Sequence, residues 1–168
     1  MCCYFSYPNP CRCSCCSRPC RPFPPSVPIP TPRPPASLPS VASFTQTAQA
    51  QVAANAPLPL VTDFNSDPNN YSLSNNAVTL SRGYYIVSFS ANVLAANSQV
   101  DLALTLNGSV VNKSQTTAYS GETGGANLAS TFILYVPTSG SQISLINAGA
   151  DTAQFTNANL VLQKINVG

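Results

Sequence analysis

Between Gly83 and Val93 the sequence GYYIVSFSANV alternates at every position: Tyr85, Val87, Phe89, Ala91 and Val93 on one set, Tyr84, Ile86, Ser88, Ser90 and Asn92 on the other. Successive side chains of a strand point to opposite faces, so this period of two predicts a long strand with one apolar and one mixed face. The next segment, SQVDLALTLNGSVV, sets Val100, Leu102, Leu104 and Leu106 on one side. It then supplies Asn107-Gly108, the pair best suited to the positive backbone angles of a tight hairpin. Further strands are predicted at 131–136, ended by Pro137, at 142–147, ended by Ala148-Gly149, and at 159–165. Weaker alternation marks 43–47, 61–64 and 78–80. The stretch QTAQAQVAANA, residues 46–56, has the alanines of a helix, but among strands it reads as a strand followed by a loop. Elsewhere no helical period competes, and the chain from residue 41 onward reads as one all-β domain of an ordinary size.

The first forty residues obey a different pattern. Twelve of the sixteen prolines precede residue 40, and in PFPPSVPIPTPRPPASLP, residues 22–39, they stand at nearly every second position. Proline has no amide proton and a fixed φ, so this stretch excludes helix and central strand. It favours polyproline II, whose rise lets eighteen residues span roughly 56 Å. A ligand for a domain that reads PxxP is the other reading of so monotonous a segment. Three parts follow: a cysteine-rich connector at 1–21, a Pro-rich spacer at 22–40 and a folded head at 41–168.

All seven cysteines lie in the connector: Cys2, Cys3, Cys11, Cys13, Cys15, Cys16 and Cys20. An odd number leaves at least one sulfur unpaired within a chain, and no apolar periodicity surrounds these residues to build a disulfide-stapled knot. Three readings compete. A metal-thiolate tail would use the dense CRCSCC ligands, but the chain has no histidine and no paired CxxC spacing. Reduced, adventitious thiols are the bland reading. Intermolecular disulfides account best for the number and crowding, and Arg12, Arg18 and Arg21 favour the reactive thiolate nearby.

Charge divides the chain as well. The four arginines before residue 40 give that part +4, while three basic and five acidic residues give the head −2, so neighbouring copies attract head to tail. Met1 is followed directly by cysteines and prolines rather than by a charged start and an apolar run, so no signal peptide is expected. No window approaches eighteen apolar residues, and no membrane span is expected. A protein made in a reducing cytoplasm and oxidised after lysis of the producing cell fits this combination.

Enzyme chemistry has little to stand on. Histidine is absent, and the head carries only Asp63, Asp67, Asp101, Glu122 and Asp151 as carboxylates. Asp63 and Asp67 in VTDFNSD could ligate calcium, but lack an EF-hand pattern and read more simply as a solvated loop. A weakly acidic head with strand aromatics argues against nucleic acid. Matches to glycosylation acceptors at Asn70, Asn107 and Asn112 are read as chance. No metal, cofactor, nucleic-acid or membrane partner is expected.

Four segments in order carry a resemblance: GYYIVSFSANV, the LTLNGSVV hairpin, STFILYVPTSGSQISLINAG and the closing ANLVLQKI. Together they resemble the jelly roll of the tumour-necrosis-factor and complement-type globular head superfamily, in the form carried at the C-terminus of collagen-like glycoproteins of the bacterial spore surface (exosporium). The resemblance covers 41–168. A collagen stalk is missing, since all eight glycines follow residue 80. The tail, beginning at Cys2-Cys3, resembles the N-terminal connectors of endospore appendage (spore pilus) subunits, which bond covalently to neighbouring subunits.

The resemblance implies an antiparallel jelly-roll sandwich that associates as a homotrimer. One set of residues on the strand from Gly83 would face its own core and the other the three-fold interface. Tyr85, Val87, Phe89, Ala91 and Val93, with Leu160 and Leu162, are the expected core. Tyr84, Ile86, Ser88 and Ser90, with Val161, Gln163 and Ile165, are the expected interface. Without the family, covering by a second sheet in a monomeric sandwich explains Tyr84, Ile86, Val161 and Ile165 equally well. The implied function is a structural subunit of an endospore surface fibre, with spore coat or exosporium proteins as possible partners and the spore surface as its location. The alternative is a fibre-tip, anchor or adhesin protein whose trimeric head binds a surface ligand.

Overall fold

The structure is a computed structural model that describes residues 39–94, 98–120 and 125–165. The seven tail cysteines and the spacer up to residue 38 lie outside the described residues. Among the described residues, twelve strands form two antiparallel sheets packed face to face. The first sheet contains β1 (Val41–Thr45), β2 (Ala50–Val52), β3 (Val61–Asn65), β6 (Gly83–Val93), β10 (Ala126–Val136) and β12 (Ala153–Ile165). The second contains β4 (Tyr71–Ser74), β5 (Ala77–Leu80), β7 (Ser98–Leu106), β8 (Ser109–Val110), β9 (Thr116–Ser120) and β11 (Ser141–Asn147). The first sheet runs β10-β6-β12-β1-β3, with β2 beside β12; the second runs β4-β5-β11-β7-β8, with β9 also on β7. Neighbours distant in sequence, such as β1 and β12, make this a jelly roll rather than a meander.

Alternation decides what the sandwich encloses. From β6 it buries Tyr85, Val87, Phe89, Ala91 and Val93, and from β12 Phe155, Leu160 and Leu162, against Leu102, Leu104, Ile143 and Leu145 of the second sheet. The core set expected on β6 and β12 is the one buried. Each Val, Leu, Ile or Phe among them contributes roughly 1.5–3 kcal/mol on leaving water. Two hairpins close with left-handed residue pairs, Asn107-Gly108 between β7 and β8 and Asn75-Asn76 between β4 and β5.

Several elements differ from the sequence expectation. β10 starts at Ala126 rather than 131 because pairing with β6 recruits polar residues that alternation alone does not mark, and β12 starts at Ala153 rather than 159 because it pairs with β2 and β6 before its register shift. β4 and β9 were not expected. The alanine-rich 46–56 does follow the expectation, a strand, β2, and then a turn, because pairing with β12 overrides its helix propensity.

Buried polar groups fix the irregular points. Between Thr156 and Asn159 the register of β12 against β6 shifts, and Asn157 takes a left-handed conformation. The amide of Gln46 spans this bulge: its Nε2 donates to Phe155 O at 3.1 Å and its Oε1 accepts from Ala158 N at 3.3 Å. Fully buried Asn147 donates to Val52 O and Asp151 O and accepts from Gly149 N, so the end of β11 is tied to β2 without an orphaned group.

Candidate functional site: the outer face of the first sheet

The long central strands β6 and β12 expose one face each, and pairing places these faces side by side. Register aligns their residues in transverse rows. The first holds Tyr135, Tyr84 and Ile165; the second Ile133, Ile86, Gln163 and, on β1, Val41. The third holds Thr131, Ser88, Val161, Ser43 and, on β3, Phe64. The fourth holds Ala129, Ser90, Asn159, Thr45 and Val61, and the fifth Asn127, Asn92 and Thr156. One end of the face is aromatic and aliphatic, the middle is hydroxyl-rich, and the far end carries amides.

Contacts along the rows are already made within one chain. The rings of Tyr84 and Tyr135 lie 4.8 Å apart, tilted by 38°. Ser88 Oγ and Thr131 Oγ1 are 2.9 Å apart, and Asn127 Nδ2 donates to Asn92 Oδ1 at 2.7 Å. Among the described residues, six of the nine exposed large hydrophobic side chains sit on this face: Val61, Phe64, Tyr84, Ile86, Ile133 and Tyr135. Such concentration on one sheet face is what an association surface requires, whereas scattered apolar residues would need no explanation. Asn159 Oδ1 in the fourth row is buried and has no hydrogen-bond partner among the described residues.

All six residues assigned from the sequence to an interface, Tyr84, Ile86, Ser88, Val161, Gln163 and Ile165, fall on this one face, with Tyr84 and Ile86 exposed and the other four half-buried. Sequence reasoning missed Ile133 and Tyr135, which β10 sets beside Ile86 and Tyr84, and Phe64 and Val61 at the β3 edge. Alternation within β10 could have signalled the first two, since Ile133 and Tyr135 interleave with buried Leu134 and Val136. The β3 pair carries no such signal, because a bulge between Ser43 and Phe44 breaks its register.

A second cluster lies where the chain enters β1. Tyr71 OH donates to Ser40 O at 2.7 Å and accepts from Lys164 N at 3.0 Å. Tyr85 OH donates to Ser81 O at 2.7 Å, and the two tyrosine rings meet edge to face at 6.0 Å. Lys164 follows Leu160 and Leu162 in the inward parity of β12. Its Nζ donates to Asn70 Oδ1 at 3.0 Å and to Ser81 Oγ at 2.6 Å, and stands 5.9 Å from the Tyr85 ring centre. Gly83 makes room for it: its φ is +151°, and a Cβ there would come within 2.9 Å of Lys164 Cε. Asp67 and Asp63 point to separate tasks, since Asp67 accepts from Asn69 N and the Asn70 side chain while Asp63 accepts from Ser43 Oγ. They do not come together as a calcium pair; among the described residues no group of three or more acidic, cysteine or histidine side chains is placed to hold a metal.

Burial pushes the Tyr71 hydroxyl above its ordinary value of 10.0, with hydrogen bonds from Ser40 and Lys164 opposing and the charge of Asp67 adding slightly. Tyr85 is raised for the same first reason, against a bond from Ser81. A raised folded value means that the unfolded chain ionises first. The stabilisation is therefore complete below pH 10 and is lost as the pH climbs through the raised folded values. Thermal melts at stepped pH are expected to show a fall in melting temperature beginning near pH 10, shallower in Tyr85→Phe; an equal slope in that variant would assign the loss to other groups.

No protein-family model matches the sequence, and no curated protein does. Solved structures match the fold. Murine APRIL (crystallised at pH 5.0) superposes with a TM-score of 0.66 at 9% identity, over 76% of this chain and 100% of that one. Eiger TNF from S. frugiperda gives 0.66 at 17% identity, over 78% and 96%. The globular domain of zebrafish complement 1qA protein gives 0.56 at 10% identity, over 77% and 98%. The head is thus a jelly roll of the TNF and C1q type in fold, as the resemblance of its strand segments implied.

Proposed function

We propose that this protein is a structural subunit of a self-assembling fibre on the surface of bacterial endospores. Heads associate in threes through the outer face of the first sheet, and disulfides between tails of different copies join one trimer to the next. Residues 1–21 serve as the connector, 22–40 as a stiff spacer and 41–168 as the head. Residence at the spore surface after lysis of the mother cell supplies the oxidising conditions the tail chemistry needs.

The observation that carries this reading is the apolar end of the outer face. Tyr84, Tyr135, Ile86, Ile133 and Ile165 form one patch in adjacent rows, on a domain whose fold is that of TNF-type and C1q-type heads. The segregation of seven cysteines outside the head supports the second half, because cross-linking through a tail leaves the folded domain undisturbed. Three tails per trimer make attachment multivalent, so release is slow even before oxidation. The likeness to non-enzymatic folds and the sparse carboxylates of the head favour a structural role over catalysis.

A second reading has one observation in its favour. An open, mostly polar cleft lined by Gln51, Leu94, Ser98, Asp151, Thr152 and Gln154 lies at the end of the sandwich near the β2–β12 pairing. It suits a fibre-tip, anchor or adhesin head that binds a surface ligand. Negative-stain microscopy of purified protein left to oxidise separates the two. Filaments support the fibre subunit, and discrete trimers support the tip.

A further inference from the structure

The cluster around Lys164 contains the parts of a self-catalysed amide exchange. A primary amine stands 3.0 Å from the carbonyl oxygen of a carboxamide, Lys164 Nζ to Asn70 Oδ1. A carboxylate, Asp67, holds the nitrogen of that same carboxamide through Oδ2. A hydroxyl, Ser81 Oγ, donates to the carbonyl oxygen that would gather negative charge. The rings of Tyr71 and Tyr85, both essentially fully buried, wall the group from the core side. Amine, acceptor, proton carrier and oxyanion donor thus meet around one amide carbon, in a setting where proximity does most of the work. None of these residues is needed for the association surface.

We propose that Lys164 and Asn70 form an intramolecular isopeptide bond, with Asp67 as the proton-transferring group. The Lys164 ammonium, which among the described residues contacts Asn70 and Ser81 but not Asp67, first yields a proton to the Asp67 carboxylate by way of solvent water. Its free electron pair then attacks Asn70 Cγ, forming the new C–N bond and a tetrahedral centre whose oxyanion on Oδ1 is held by the Ser81 hydroxyl. Asp67 returns its proton to Asn70 Nδ2, the Cγ–Nδ2 bond breaks, and ammonia leaves as the carbonyl re-forms. The remaining extra proton on Nζ passes through Asp67 to the departing ammonia, giving ammonium. No oxidant, reductant or cofactor enters the balance. The product ties β12 to the turn before β4 across 94 positions of sequence, and it locks the end of the sandwich at which β1 begins.

The geometry has a built-in provision for the lysine. Gly83 lacks the Cβ that would strike Lys164 Cε, and the Asp67 turn is fixed by its own backbone, whose carbonyl accepts from Asn70 N at 3.0 Å and Tyr71 N at 3.2 Å. The acceptor amide is therefore presented rather than left to search.

Intact mass spectrometry of the full chain, purified in reductant and incubated folded, reads the bond directly. The chain is expected to be lighter than its sequence mass by one ammonia, with the tryptic peptide carrying Asn70 joined to the one carrying Lys164. Lys164→Arg and Asp67→Ala are each expected to keep the full sequence mass. A wild-type chain of full mass, cleaved by trypsin after Lys164, overturns the proposal. So does an ammonia loss that maps to Asn107-Gly108, where a succinimide would give the same change. A cross-link that persists in Asp67→Ala overturns the role given to that carboxylate. Each readout concerns a bond within one chain, so it stands or falls separately from trimer or fibre formation.

Discussion

Replacing Ile86 by aspartate is expected to abolish association of the heads while leaving each head folded. Ile86 lies in the second row of the outer face, between Ile133 and Gln163, and is exposed in the single chain. A surface substitution there changes the stability of the isolated domain by about 1 kcal/mol or less, mostly through strand preference. In a trimer the same carboxylate is buried without a cation, at a cost of roughly 3–5 kcal/mol per interface, which is more than a hundredfold in affinity. A head that binds its neighbours at micromolar concentration becomes a monomer throughout that range. Sedimentation and a thermal melt of the same sample separate the two effects. Unchanged association with unchanged melting would move the interface elsewhere. Ser90→Asp, near the hydroxyl-rich middle, is the milder comparison, since polar neighbours and water compensate part of the charge.

The second large effect concerns the tail. Converting Cys2, Cys3, Cys11, Cys13, Cys15, Cys16 and Cys20 to serine together removes every sulfur available for disulfides, since the head contains no cysteine. The head is expected to fold and associate as before. On a non-reducing denaturing gel the oxidised parent is expected as a ladder of covalent multimers, and the serine variant as a single-chain band. Filaments of the variant are expected to fall apart under heat or denaturant that the parent survives, because multivalent contacts slow release but do not prevent it. Filaments of equal toughness would show that packing, and not sulfur, holds the assembly.

Much of the head was legible because one of its long central strands, β6, has no irregularity. β6 alternates without a break, so its core and outer faces could be told apart by parity alone. β12 hides its length. The register shift between Thr156 and Asn159 moves the buried set from odd-numbered Phe155 to even-numbered Ala158, Leu160 and Leu162, and a strict period of two sees only the second half. The first half of β10, ANLAS, offers one buried apolar residue, Leu128, and exists as strand because β6 supplies the hydrogen-bonding partner. Asn75-Asn76 shows that the left-handed pair of a hairpin need not contain glycine, which is why β4 went unseen.

The outer face of the first sheet was half legible for a related reason. Parity identified the outward residues of β6 and β12, but which strand lies beside β6 is a matter of long-range pairing. Ile133 and Tyr135 join the patch only once β10 is placed. Lys164 was a different kind of miss. Its inward parity after Leu160 and Leu162 is plain in the sequence, and a lysine at an inward position demands polar partners. Those partners, Asn70 and Ser81, lie 94 and 83 positions away and could not be inferred from local pattern.

The central claim is that the outer face of the first sheet brings heads together in threes without help from sulfur. Sedimentation equilibrium of the full chain in reductant, at micromolar concentration, measures this most directly. The account predicts a mass of three chains, reduced to one by Ile86→Asp. A single-chain mass for the unaltered protein would contradict it.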